Sequence, residues 1–152
     1  MAEVEEAQEI QIKAMMAADG AQALNGKLYI LGGGFDHLIM PTQPFVHRFD
    51  LAILVDVPWT WANEPFQLAV EQLNADGAPC GYRAEAQMET GRPPGMRRGT
   101  SFSVPMALPV VANFETPGRY VLRATINGEE RARVTIEAVA AQGGPAQGGP
   151  TG

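Results

Sequence analysis

Hydrophobic and polar residues alternate with a period of two along most of this chain. In residues 45–57 every second position is apolar except for His47, whereas the positions between them include Arg48, Asp50 and Asp56. The same alternation recurs around residues 10–16, 66–70, 82–88, 101–106, 120–126 and 132–138. Successive side chains of a strand point to opposite faces, so each segment predicts a strand with one buried face, as in antiparallel sheets.

Turn-forming dipeptides separate these segments. They are Asp19-Gly20, Asn25-Gly26, Asp76-Gly77, Pro117-Gly118 and Asn127-Gly128. About eight short strands at this spacing predict two packed antiparallel sheets, that is, an all-β sandwich. Pro105 falls inside a strand pattern, and proline cannot donate to a sheet ladder. We therefore expect its strand at a sheet edge or at a bulge.

The last two strands, on either side of Asn127-Gly128, constrain the turn between them. Tyr120 belongs to the apolar face of the first strand and Val134 to that of the second. A two-residue type I′ turn would pair Tyr120 with Thr135 and put the two apolar faces on opposite sides of the sheet. We therefore expect a three-residue loop with a G1 bulge at Gly128, which pairs Tyr120 with Val134.

The overall composition narrows the class of protein. Of the 152 residues, 45% are hydrophobic, enough to bury a core without a disulfide or a metal ion. The net charge of −6 repels a phosphate backbone, so nucleic acid is not an expected partner. The single cysteine, Cys80, excludes an intrachain disulfide and indicates a reducing compartment.

The two ends of the chain differ from its middle. Residues 1–8 are acidic, whereas a signal peptide begins with positive charge, so we expect an acidic arm. Residues 9–139 are predicted to form the sandwich domain. Residues 140–152 contain the sequence Ala-Gln-Gly-Gly-Pro twice, with neither charge nor aromatic ring, and predict a disordered tail. No apolar run is long enough to cross a bilayer, which favours a cytoplasmic protein without membrane contact.

Three stretches together resemble a known protein family. They are Ala18-Asp19-Gly20-Ala21-Gln22 followed by Gly26 to Gly34, then Val57-Pro58-Trp59 with Ala62-Asn63 and Asp76-Gly77, and finally Pro117-Gly118-Arg119-Tyr120 with Asn127-Gly128-Glu129. This succession is similar to an uncharacterised family of small bacterial proteins, mainly actinobacterial, catalogued as a domain of unknown function. The resemblance covers roughly residues 10–138. It implies an immunoglobulin-like β-sandwich in a bacterial cytosol and implies no activity.

The residue types that usually carry catalysis are present but isolated. Gly32-Gly33-Gly34 is followed by neither Gly-Lys-Ser/Thr nor a helix start, so a kinked strand is favoured over a phosphate loop. Neither His37 nor His47 has the spacing to further ligands that a metal site needs. Cys80 is expected on a buried face without a histidine partner. We therefore predict no catalytic residues, no cofactor and no metal.

Trp59 and Trp61 form the first candidate contact region, in a segment bounded by Pro58 and Pro65. Tryptophans two residues apart either face a groove together, where they bind a ligand or partner, or close the open end of the sandwich. The second alternative is favoured, because the core of a small sandwich needs cover at its ends.

The second candidate contact region is the one basic cluster in this acidic chain. Arg92, Arg97 and Arg98 lie in a proline- and glycine-rich segment that predicts a long exposed loop. Such a loop either is simply solvated or uses its guanidinium groups to hold a carboxylate, a phosphate or an acidic partner.

Together these features favour a non-enzymatic module that binds a protein partner or self-associates. Met15, Ala17, Leu54 and Val121 are expected on outer faces, where they would support self-association. One alternative is a small-molecule-binding protein or small enzyme with a pocket at the Trp59/Trp61 end and a histidine as acid and base. Another alternative is a phage-derived or secretion-apparatus component.

Overall fold

The computed structural model describes residues 8–142, and strands make up most of this part of the chain. Its nine strands are β1 (Gln11–Leu24), β2 (Lys27–Gly33), β3 (His37–Met40), β4 (Phe45–Pro58), β5 (Phe66–Leu73), β6 (Pro79–Met88), β7 (Ser101–Phe114), β8 (Gly118–Ile126) and β9 (Glu129–Ala140). A 3-10 turn at Trp59–Trp61 follows β4. The predicted all-β class is confirmed. The arm and tail predicted for the two ends fall largely on residues 1–7 and 143–152, outside the described residues.

The strands form two sheets. The first sheet has the order β2-β1-β4-β7, and the second has the order β3-β9-β8-β5-β6. All pairings are antiparallel except that of β3 with β9, which is parallel. β7 pairs only with β4, so Pro105 lies on an edge strand as expected.

The core lies between the two sheets, and β4 supplies its centre. The alternate residues of β4 from Phe49 to Val57 are almost fully buried, as the period-two pattern predicts. They face Val70 of β5, Leu122 of β8 and Ile136 of β9, which belong to the same buried cluster. The burial of apolar surface here is the main favourable contribution to folding.

A bulge in β1 reverses part of the predicted pattern. Ile12 is opposite Val55, but Ala14 is opposite Leu54, so Lys13 is an extra residue in the strand. One inserted residue moves every following side chain to the other face. Met15 therefore packs against the core, and the outer position predicted for it is wrong.

The same bulge affects Ala17, which is fully buried in the core cluster and not on the outer face where we expected it. Leu54 and Val121 do point away from the core cluster, but Val121 is only 8% exposed, so it is not the open surface that self-association would need. Leu54 is opposite Ala14 and Pro105 in the first sheet, and Val121 is opposite Thr135 in the second.

The loop of the final hairpin is shorter than predicted. Ile126 is opposite Glu129, so Asn127-Gly128 is a two-residue turn, with positive φ at both residues as type I′ requires. The extra residue is instead Arg131, because Thr125 is opposite Glu130 and Ala124 is opposite Ala132. The apolar faces do share one side, but the predicted Tyr120–Val134 pair is wrong.

Tyr120 is opposite Ile136 in this register. Its hydroxyl donates to the carbonyl of Thr116 at 2.6 Å, and its ring meets Phe114 edge-on at 5.0 Å. The connection between β7 and β8 is thereby tied to the core. A tyrosine at this place is known from immunoglobulin-type sandwiches as the tyrosine corner.

The glycine triplet is a bend at the end of β2. Gly32 has φ +62° and Gly34 has φ +87°, which are left-handed conformations that side chains disfavour. A Cβ at Gly33 would lie 2.6 Å from Cγ2 of Ile30 and 2.9 Å from Sδ of Met16. The expected kinked strand with close packing is confirmed.

Candidate binding surface

The two tryptophans of the 3-10 turn lie in different surroundings. Trp61 packs edge-on against Phe66, with 6.5 Å between the ring centroids, and lies against the core cluster. It covers the end of the sandwich, as the favoured alternative predicted. Trp59 is half-buried and belongs to neither the core nor its packed margin. The two residues therefore need separate explanations.

The loop of residues 89–100 lies beside this turn and connects β6 to β7. The Trp59 amide donates to the Thr100 carbonyl at 2.8 Å, and the Asn63 amide donates to the Thr90 carbonyl at 2.7 Å. Within the loop, the Met96 amide donates to the Pro93 carbonyl at 3.2 Å. Both ends of the loop are thus fixed to the segment that carries the tryptophans.

Arginines of this loop stack on Trp59. The Cζ atom of Arg92 lies 3.9 Å from the centroid of the Trp59 ring, and that of Arg98 lies 5.0 Å from it. These are cation–π distances, and the indole ring is the side chain that favours such contacts most. Arg97 is exposed between them in sequence. We call Trp59, Arg92, Arg97 and Arg98 the Trp59 patch.

The Trp59 patch carries uncompensated positive charge. Within residues 8–142, no carboxylate lies within 4.0 Å of the three loop arginines, whereas five of the six other arginines form ion pairs with glutamates, Arg48 being the exception: Arg83, Arg119, Arg123, Arg131 and Arg133. The structure therefore joins the two regions that the sequence predicted separately. The joined surface offers an aromatic ring and free guanidinium groups.

A cavity of about 300 Å³ lies at the same end of the sandwich. We call it the Trp61 cavity. It is lined by Gln8, Glu9, Ile10, Trp61, Ile126, Asn127, Glu129 and Arg131. Arg131 forms ion pairs with both Glu9 and Glu129. One arginine thus faces two glutamates, and the charged residues of this cavity keep a net charge of −1.

Sequence reasoning missed Glu9, Glu129 and Arg131. Glu9 and Arg131 are 122 positions apart along the chain. The approach to β1 meets the β8–β9 hairpin only in the folded sandwich. No local pattern in the sequence signals that contact.

The two histidines do not share a site. Nδ1 of His37 lies 2.8 Å from Oδ1 of Asp36, and both side chains are exposed. The two adjacent side chains can meet because Asp36 precedes β3 and does not follow strand alternation. His47 stacks between Phe45 and Phe49, at 5.6 and 5.8 Å. No group of three potential metal ligands occurs in residues 8–142.

The thiol of Cys80 is half-buried beside the core, so it is less enclosed than expected. Burial raises its pKa, which disfavours the thiolate, the nucleophilic form. The cysteine therefore lacks the activation that a catalytic nucleophile needs.

Fold and surface together define a small β-sandwich domain with a tryptophan–arginine patch at one end. The chain belongs to a family of unknown function, DUF6941, whose model matches residues 13–139. This confirms the resemblance to a family without assigned function, while the bacterial setting stays a prediction. No curated protein matches the chain. Across the described residues, no helix is long and apolar enough to span a membrane.

One solved structure with a similar chain is the alkylpurine DNA glycosylase AlkC of Pseudomonas fluorescens, bound to DNA containing an abasic-site analogue. The match has 14% sequence identity and a TM-score of 0.39, and it covers 87% of this chain but 31% of that protein. The chain therefore corresponds to less than a third of that enzyme's length. A likeness at this level carries no functional conclusion.

Proposed function

We propose that this protein is a non-enzymatic binding module that holds an acidic segment of a partner protein against the Trp59 patch. The observation that carries the proposal is the stacking of Arg92 and Arg98 on Trp59, with no carboxylate within 4.0 Å of the patch arginines among the described residues. Tryptophan and arginine are the residue types most enriched at binding hot spots.

The geometry favours binding in two ways. Stacking on Trp59 restricts the guanidinium groups of Arg92 and Arg98, so less side-chain entropy is lost when they meet a carboxylate. The chain as a whole is acidic, with a net charge of −6 even with these arginines counted. An acidic ligand is therefore repelled elsewhere and guided to the patch. The same net charge argues against a polyanion as long as a nucleic acid.

The topology supports a role in recognition. We infer an immunoglobulin-like sandwich from the strand orders, the parallel pairing of β3 with β9 and the tyrosine corner at Tyr120. Such domains carry variable loops at the ends of a rigid sandwich, and the Trp59 patch lies on loops of this kind. The separated histidines and the raised pKa of the Cys80 thiol support a function without catalysis.

The test is selection of ligands from a displayed library of random peptides by the full chain. We expect enrichment of Asp- and Glu-rich peptides that bind more weakly as salt rises. Trp59→Ala and Arg92→Ala should each weaken a selected peptide by about tenfold. Arg119→Ala is the matched control, since this exposed arginine is already paired with Glu137. Enrichment of non-acidic peptides, or equal weakening by the control, would refute the proposal.

A second candidate function is binding of a small molecule in the Trp61 cavity, and the cavity itself is the observation that favours it. Because Arg131 offsets only one of the two carboxylate charges of Glu9 and Glu129, the cavity suits a partly apolar ligand with a positive charge. A thermal-shift screen of metabolites should then find a stabilising compound whose effect is lost in Glu129→Trp, which fills the cavity. A shift that survives in this variant would exclude the site.

A further inference from the structure

The two sheets have four edges, and three of them carry features that discourage pairing with another strand. β7 contains Pro105 and Pro109, which cannot donate to a ladder. β6 begins at Pro79 and carries Arg83 and Glu85. β3 is four residues long. Proline, charge and shortness are the usual means by which proteins protect sheet edges.

The fourth edge, β2, lacks this protection. Its seven residues, Lys27–Gly33, contain one charge, Lys27 at the start, and no proline. Leu31 is 75% exposed and Tyr29 is 50% exposed, and Leu24 on the neighbouring strand is 48% exposed. Register places these three residues on one face of the hairpin, because Leu24 is opposite Lys27 and Gly20 is opposite Leu31.

The free backbone groups of β2 follow from its hairpin register. Leu24 and Lys27 flank a two-residue turn, so they exchange hydrogen bonds with each other. The amides that face β1 are then those of Lys27, Tyr29 and Leu31. The amides of the residues between them, such as Leu28 and Ile30, point away from the sheet and face an open edge.

We propose that β2 pairs antiparallel with β2 of a second copy of this chain, which extends the first sheet across a two-fold axis. If Tyr29 or Ile30 lies on the two-fold axis, that residue is opposite its own copy, and each strand presents the same residues to the other. Lys27 then lies opposite the second copy's Leu31 or Gly33, so no like charges face each other. The outward amides of Leu28 and Ile30 gain partners.

A second copy fits this edge better than a charged partner does. Residues 28–33 offer no side-chain charge for an acidic or basic strand to recognise, and the exposed Tyr29 and Leu31 of two copies would cover each other. The edge shares no residue with the Trp59 patch, so dimerisation and binding of an acidic segment are separable.

The first test is the molar mass of the full chain by light scattering after size exclusion. We expect twice the chain mass of 16.3 kDa for the wild type. Leu31→Lys should reduce it to one chain mass, because it puts a charge into the seam at a position too exposed to affect folding. Val111→Lys, a matched change at an exposed valine of β7, should leave the mass doubled.

The second test is amide hydrogen exchange by NMR, which also distinguishes this seam from other dimers. In the wild type, the amides of Leu28 and Ile30 should exchange at least about tenfold more slowly than in Leu31→Lys, whereas that of Tyr29 should be protected in both. A wild-type chain of monomer mass, a dimer that survives Leu31→Lys, or a dimer broken by Val111→Lys would each overturn the proposal. A wild-type monomer would mean that any strand pairing with β2 comes from a different protein.

Discussion

The arginines of the second sheet and those of the 89–100 loop lie in opposite electrostatic surroundings. On the sheet, Glu71 bonds to both Arg83 and Arg123, and Glu137 bonds to Arg119. In the loop, Arg92 and Arg98 lie against an aromatic ring and no carboxylate lies within 4.0 Å of them in residues 8–142. The sheet arginines have their charge offset by glutamates, whereas the loop arginines keep theirs available for an external anion.

The tryptophans extend this comparison. Trp61 belongs to the fold and Trp59 belongs to the exposed patch, although they are two residues apart. Cation–π stacking on a half-exposed ring contributes about 0.5–1 kcal/mol, less than the burial of an indole ring against a core. Stability and binding should therefore respond to different members of the same turn.

The largest expected effect is on the free energy of unfolding of Trp61→Ala. Loss of the ring that covers Phe66 should cost about 3 kcal/mol, whereas Trp59→Ala should cost less than about 1 kcal/mol. Urea denaturation of both variants measures the difference. Equal costs would mean that Trp59 is also structural and would remove the basis for treating the patch as a binding surface.

The next effect concerns the sheet arginines. Glu71→Ala should cost about 1–2 kcal/mol, because the side chain of Glu71 is 16% exposed and its removal leaves Arg83 and Arg123 without their shared partner. Glu89→Ala is the control, an exposed glutamate without an ion pair in the described part of the chain. If both variants unfold at the same urea concentration, the sheet network contributes nothing to stability.

A smaller effect is expected for the loop arginines. Arg97→Ala should change the free energy of unfolding by no more than about 0.5 kcal/mol, since this exposed side chain has no carboxylate within 4.0 Å among residues 8–142. The same variant should weaken a selected acidic peptide more at low salt than at high salt. A clear loss of stability would place Arg97 among the structural arginines.

The smallest effect is electrostatic and local. A hydrogen bond from Arg133 lowers the pKa of Glu130 below its ordinary value of 4.5. A lowered pKa in the folded state stabilises the fold above pH 4.5, and this contribution is lost as the pH falls through the lowered value. Arg133→Ala should raise the pKa of Glu130 in an NMR titration, and Arg97→Ala should not. No rise would contradict the pairing.

Much of the fold could be predicted because alternation is a local property of the backbone. The buried face of β4 follows from the alternating direction of side chains in a strand. The edge position of Pro105 follows from its missing amide donor, and the bend at Gly32 follows from the left-handed backbone that glycine allows. The candidate contact residues could be named for similar reasons. Tryptophans beside prolines and arginines in a glycine-rich segment stand out in an acidic chain.

The positions of the bulges could not be predicted, because the place of an extra residue depends on the partner strand. The sequence pattern required an extra residue in the final hairpin but put it at Gly128, whereas the structure has it at Arg131. Arg131 brings the apolar faces of the final hairpin to one side, whereas Lys13 moves the following residues of β1 to the face opposite to the predicted one. Gln72 is similar. It lies next to a register shift in β5 and is 1% exposed, and it donates to the Asn113 carbonyl of the opposite sheet at 3.0 Å.

By itself, therefore, the sequence determined an all-β sandwich, the buried faces of most of its strands and the residue types available for contact, since each of these depends on neighbours along the chain. Only the tertiary structure decided which arginines are neutralised, that Trp59 and Trp61 have different roles, and that β2 is an unprotected edge. Those properties depend on strand order and on contacts between distant segments. Arg92 and Trp59 are 33 residues apart, and it is the pairing of β4 with β7 that brings their loops together.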